Sequence, residues 1–193
     1  MNWYKKAQNI DTLYLDAKNK KDINALQKMT DEKAISAGYN TIPMWHGSSE
    51  PLTVIRSWEP IYLAFDESLA KNRQSANVHR LYTKINTIFD TKTNLKDRQQ
   101  FLSFFKSYHG TIRGALINGL PMYDFAVEHA SCFRGTDAML LAEPDIAGKD
   151  QRSIVVWSPR GLIKSADPIT YDDSGKIIPL SKRFQKTNPD IRY

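Results

Sequence analysis

The segment Trp45-His46-Gly47-Ser48-Ser49 closes a short apolar run that begins at Ile42, and it sets an imidazole, a glycine and two hydroxyls side by side. An imidazole at a strand end is short and rigid, and its two ring nitrogens differ: one donates and one accepts in the neutral form. A glycine beside it lets the backbone approach a ligand, because no Cβ intervenes. The plainer reading of the same residues is a histidine satisfied at a strand end. The other histidines, His79, His109 and His129, are far apart in the chain, and Cys132 is the single cysteine. No ligand spacing for a metal emerges, and no disulfide can form within the chain. The nine glycines are dispersed. They form neither GxGxxG nor GxxxxGK[ST], and HExxH and GxSxG are also absent. A conventional cofactor enzyme is therefore not expected.

The bulk properties narrow the class further. A chain of 193 residues, 41% hydrophobic and 11% aromatic, suits one domain with appendages and a substantial core. Its formal net charge of +6 favours acidic partners such as phosphate groups or nucleic acid. The basic residues are scattered, however, and Lys182-Arg183 with Lys186 is the nearest thing to a cluster, so a solvated basic surface is favoured over a dedicated nucleic-acid patch. No apolar run approaches the roughly 18 to 20 residues of a membrane span. The opening MNWYKKAQNI has no apolar core after its lysines and does not read as a secretory signal. A soluble cytoplasmic protein, monomeric and without membrane contact, is expected.

The elements that must carry the histidine segment follow from periodicity and punctuation. Two short helices are predicted over 11–37, one capped by Asp11 and one by Asp22. The second carries Ile23, Leu26, Met29, Ala34 and Ile35 at helical spacing, and Gly38 stops it. Strands are predicted at Ile42–Trp45, Pro60–Phe65, His79–Ile85, Asp137–Ala142 and Ser153–Trp157, with a short edge strand in "GLIKSA". Ser153–Trp157, β-branched and apolar, reads as a central strand. A short helix follows Asp66. A longer one runs over 94–108 behind Asn94, and another lies between Pro121 and Gly135. The last residues are rich in turn formers and read as an extended segment on the body or a loose terminus. The sum is an α+β domain with five or six short strands. Strands and helices do not alternate strictly, which argues against a doubly wound sheet.

Three of these segments, in order, carry a family likeness: "MWHGSS", "PIYLAFDESLAKN" and "SIVVWSPRGLIKSA". The chain resembles the ADP-ribosyltransferases, the fold shared by diphtheria-type toxins and poly-ADP-ribose polymerases. It is most similar to small transferase domains of phage and mobile-element polyvalent proteins. Tyr14, Ala17, Asp22, Met29 and Ala37-Gly38-Tyr39 lead into His46-Gly47-Ser48 as their helical segment does, and "NPDIRY" matches their close. The likeness covers about residues 13–193, with 86–130 carrying little of it. It implies a split β-sheet core over 41–166, an N-terminal helical segment over 1–40 packed on it, and an extended C-terminal tail over 167–193.

The resemblance also implies a site. NAD, as co-substrate, would bind between the two halves of the sheet. His46 would hydrogen-bond ribose hydroxyls, Gly47 would admit the nicotinamide amide and Ser48 would add a hydroxyl. Tyr62 would stack on the nicotinamide ring, as a flat face beside a cationic heterocycle does. Arg73, where the polymerases hold a second aromatic, would face the phosphates, and Trp45, Phe65 or Tyr82 would replace that aromatic. The family's catalytic glutamate, which would stabilise an oxocarbenium-like centre, falls on Ser153. Glu143 and Asp150 are the candidate replacement carboxylates. The implied function is mono-ADP-ribosyl transfer to a macromolecular acceptor, protein or nucleic acid, by a phage or mobile-element effector. The chain lacks the Glu/Gln-x-Glu pair of arginine-modifying toxins. An inactive relative that binds NAD or docks on nucleic acid, and an NAD glycohydrolase, are the alternatives.

Overall fold

A computed structural model describes residues 3–55, 60–71, 76–90, 93–100, 103, 135–144 and 150–193. Its strands are β1 (Asn40–Ser48), β2 (Ile61–Ala64), β3 (Asn77–Thr83), β4 (Ile88–Asp90), β5 (Ala138–Pro144), β6 (Asp150–Val156) and β7 (Ile163–Ser165). They form one seven-stranded sheet in the order β4-β5-β6-β2-β1-β3-β7. Only β4 and β5 pair in parallel; the other neighbours are antiparallel. With its helices this is an α+β fold, as the lack of strict alternation implied.

The sheet is joined weakly at one place. β1 pairs with β3 along most of its length, and β2 pairs with β6 from Ile61↔Val156 to Ala64↔Ser153. Between β1 and β2 the ladder has a single pair, Trp45↔Ala64. The described sheet is thus two well-paired halves, β4-β5-β6-β2 and β1-β3-β7, meeting along a thin seam. In β1 the register against β3 shifts between Asn40 and Met44. Pro43 lies in that interval and has no N–H to give a ladder, which accounts for the irregularity.

One face carries the main core. Met44, Leu63, Leu81, Ile154, Val156 and Ile163 pack together, covered by Leu52, Ile55 and Ile191 from irregular segments. Leu63 and Leu81 are fully buried, each contributing about 2 kcal/mol by transfer from water. On the other face, by strand alternation, Tyr82 packs with Ala34, Tyr39, Ala166 and Phe184.

The helices on that second face are α1 (Trp3–Asn19) and α2 (Ile23–Ser36). Tyr14, Ala17 and Leu26 bury against Leu180 of the tail. α2 begins as expected: Asp22 accepts from the Ala25 N–H at 2.9 Å. It ends in a Schellman turn, with Gly38 N–H to Ile35 O at 2.9 Å and Tyr39 N–H to Ala34 O at 3.0 Å. α1 corrects the reading of Asp11. No proline or glycine interrupts Trp3–Asn19, so the helix starts eight residues earlier than that cap. The Asp11 carboxylate instead accepts from the N–H (2.8 Å) and hydroxyl (2.6 Å) of Ser181, in a 3-10 turn at Leu180–Lys182.

Other boundaries also shift. β1 and β6 are longer than predicted, β3 lies two residues earlier than predicted, and β4 was not foreseen. Residues 95–100 are helical behind Asn94 as expected. The predicted helix between Pro121 and Gly135, and the end of 94–108 beyond residue 103, lie outside the described residues. The tail is a packed segment: Arg183, Phe184 and Ile191 are buried. The Arg183 guanidinium donates to the carbonyls of Ser165 (3.1 Å) and Asp167 (2.8 Å), and to Pro168, Tyr14 and Thr30 at 3.4 Å.

Candidate functional site

The seam between the halves holds a cleft of about 90 Å³. Strand alternation and the pairs Trp45↔Ala64 and Ala64↔Ser153 put Trp45, Ala64 and Ser153 on one face, with Tyr62 two residues before Ala64. All four line the cleft, together with His46, Gly47 and Leu63. Its remaining wall is Leu69 and Ala70 of α3 (Glu67–Lys71). That short helix starts where expected, with Asp66 accepting from the Ser68 N–H at 2.7 Å.

His46 spans the seam. Its Nδ1 lies 2.7 Å from the carbonyl oxygen of Tyr62. A carbonyl only accepts, so Nδ1 carries the proton and Nε2 is left as an acceptor. Nε2 makes no hydrogen bond to a described residue. Burial pushes the imidazole below its ordinary range; the Tyr62 carbonyl opposes this, and His79 adds to it. The ring is therefore neutral near pH 7.

His79 sits directly across β3 from His46, with ring centroids 6.5 Å apart and planes inclined at 29°. Its Nε2 accepts from the Leu52 N–H at 3.1 Å. The Ser48 hydroxyl lies 3.0 Å from the same nitrogen and donates to the Glu50 carbonyl at 2.5 Å. Ser48 is thus engaged in holding the turn after β1 and does not line the cleft, contrary to the expectation for it. His79, which the sequence did not mark, backs His46. Only the cross-strand register reveals that role.

The remaining expected residues divide. Arg73 lies outside the described residues. Glu143 is the penultimate residue of β5 and pairs with Gln151; Asp150 pairs with Pro144. Asp150 is the first residue of β6 rather than a loop residue before it. Ser153 lines the cleft and is buried. Of the three aromatics considered for a second wall, Tyr82 is fully buried beneath α2, Phe65 is 47% exposed and outside the lining, and Trp45 lines the cleft. Every described lining residue is uncharged once His46 is neutral.

A larger cavity, about 240 Å³, lies on the opposite face among His79, Leu81, Ser165, Asp167 and Ile191. None of the residues singled out from the sequence lines it. Its two arginines are already engaged: Arg192 with Asp190 (2.6 Å) and Asp173 (2.8 Å), and Arg80 with the Gln27 amide oxygen (2.8 Å). The smaller cleft is the better candidate because a neutral imidazole with an open acceptor and two aromatic side chains converge there. No protein-family model, curated protein or solved structure matches the chain.

Proposed function

We propose that this protein is a mono-ADP-ribosyltransferase that takes NAD into the seam cleft and passes ADP-ribose to a macromolecular acceptor, protein or nucleic acid. One observation carries the reading: His46, Gly47, Tyr62 and Ser153, drawn from three strands, line one cleft where the two halves of the sheet meet. A split sheet with the ligand at its division is what the resemblance implies.

The chemistry follows from the groups present. Tyr62 and Trp45 offer flat faces to a nicotinamide ring. His46 Nε2 accepts from a ribose hydroxyl. The bond between ribose C1 and the nicotinamide nitrogen then breaks, and its electron pair leaves with nicotinamide. A nucleophile on the acceptor forms the new bond to C1 and loses its proton to solvent or a base. A carboxylate near C1 would stabilise the positive charge that develops. Register favours Glu143 for this: position 143 pairs with 151, which shares a face with 153, whereas 150 falls on the other face.

Ser153 favours a second reading, binding without transfer, because a buried hydroxyl stands where the resemblance calls for a glutamate. Incubating the protein and a cell lysate with labelled NAD separates these. Transfer puts label on a macromolecule, hydrolysis gives free ADP-ribose, and binding alone gives retained NAD with neither product. His46→Ala and Tyr62→Ala should each lower transfer by roughly ten-fold or more, the scale of a lost ligand hydrogen bond or stacking contact. Glu143→Gln should cost about 10²-fold, the scale of one lost electrostatic stabiliser, and Asp150→Asn much less. Full activity in both the His46 and Tyr62 variants, or no binding of NAD, would sink the proposal.

A further inference from the structure

The cavity of about 240 Å³ on the face away from the cleft is lined by β3 and by the chain that follows β7. Leu52, Leu81, Ile169 and Ile191 make part of its wall apolar. Two residues of opposite charge, Arg80 on β3 and Asp167 after β7, line it as well. Asp167 is fixed in place: Arg183 donates to its backbone carbonyl at 2.8 Å, and the Ser165 hydroxyl donates to its carboxylate Oδ2 at 2.9 Å. Its Oδ1 accepts no hydrogen bond from a described residue. The Arg80 guanidinium donates through Nη1 alone, and to neutral oxygens: Gln27 Oε1 at 2.8 Å and the Ala166 carbonyl at 3.5 Å. The second contact sets the guanidinium beside the peptide that leads into Asp167.

Arg80 and Asp167 nevertheless form no ion pair, with each other or with any other described residue. Arg192 on the same cavity is matched by two carboxylates, so the contrast lies within one wall. Opposite charges that line one space without meeting leave Coulomb attraction unused. A ligand with an anion at one end and a cation at the other supplies both partners. We propose that this cavity binds a free α-amino acid with an apolar side chain: carboxylate on Arg80, ammonium on Asp167, side chain against Leu52, Leu81, Ile169 and Ile191. A guanidinium takes a carboxylate through two N–H donors, and Nη2 and Nε of Arg80 donate to no described residue. The cavity is smaller than the roughly 300 Å³ at which pockets for drug-sized ligands begin, which suits a molecule of amino-acid size. The site is separate from the cleft and does not rest on NAD.

Titration calorimetry with three probes tests this. L-Leucine carries both charged ends, leucinamide keeps only the amine, and N-acetyl-leucine keeps only the carboxylate, as the last residue of a peptide does. Leucine should bind roughly ten-fold or more tightly than either of the others, the scale of one lost hydrogen bond to a charged group. Asp167→Asn retains an acceptor for the Ser165 hydroxyl. It should weaken leucine by about ten-fold and leave N-acetyl-leucine unchanged. Arg80→Gln should weaken leucine and N-acetyl-leucine and leave leucinamide unchanged. Asp16→Asn, at an exposed carboxylate paired with Lys20 on α1 at 2.7 Å, removes the same charge elsewhere and should change affinity by less than about two-fold. Thermal melting without ligand checks that each variant folds, and the comparison of probes on the unaltered protein stands whatever a variant does. No binding of leucine, equal affinity for the three probes, or N-acetyl-leucine as the tightest would overturn the proposal. So would an Asp167→Asn variant that binds leucine as well as the unaltered protein does.

Discussion

His46 and Lys164 are both ionisable and both withdrawn from water, and they meet that cost in different ways. His46 stays neutral and keeps one ring nitrogen open. Lys164 is 1% exposed and gives its Nζ to the carbonyls of Asn188 (2.8 Å) and Asp190 (2.9 Å). Burial pushes its amine down to about 8, with the Asp190 carboxylate pulling it back up. A neutral amine still has two N–H donors for two carbonyls. Between about pH 8 and the ordinary lysine value the unfolded chain holds the extra proton, so stability should rise with pH across that window. Above pH 10 the raised phenols of Tyr14 and Tyr39 reverse the trend. Urea midpoints at pH 7.5 and 9.5 test the sign, and Lys164→Met should flatten the rise. For His46, NAD affinity should be flat from pH 8 to 6.5 and fall below it, as a second proton takes Nε2 from its acceptor role. A binding isotherm series in pH checks this. The strand positions of His46, Gly47 and Tyr62 were legible in the sequence because apolar runs and turn residues mark them locally. The diversion of Ser48 was not, because it depends on His79 standing opposite on another strand.

At the scale of elements, α2 shows what local sequence does decide. Asp22 and Gly38 bracket it where their chemistry demands, since a cap and a left-handed stop act within a few residues. Gly38 has φ +85°, and a Cβ there would also meet Lys84 Nζ at 2.8 Å. The amine is the far end of a flexible chain and can move, so the backbone term dominates. Gly38→Ala should cost about 1–2 kcal/mol, measured by chemical denaturation, and the loss should be of similar size in Lys84→Ala. α1 shows the opposite case. Asp11 has the type and local setting of a cap, but nothing before it stops a helix. Its partner, Ser181, is 170 positions away. β4 escaped notice because three residues carry no period, and only the parallel pairing with β5 makes them a strand.

For the whole molecule, Arg183 ties the parts together. Its donors reach α1 through Tyr14, α2 through Thr30 and the exit of β7 through Ser165 and Asp167. Burial disfavours its charge, and Nε has no partner. Lysine cannot reproduce the fork. Arg183→Lys should destabilise by about 3 kcal/mol, from several acceptors left unmet, and the urea transition should stay a single step because both helices lose the same anchor. Sequence alone marked Arg183 as part of a basic surface cluster; its burial depends on partners 153 and 169 residues away in the chain and has no local signature. The closing segment has a further consequence in time. Ile191 accepts from the Ser165 N–H on β7 and donates to the Thr53 carbonyl, and Pro189 accepts from Ile55. During vectorial synthesis the ribosome delivers those residues after every described strand. Until they emerge, the outer edge of β7 is bare, Lys164 lacks both carbonyl acceptors, and the nascent chain waits in a state that chaperones and proteases can read.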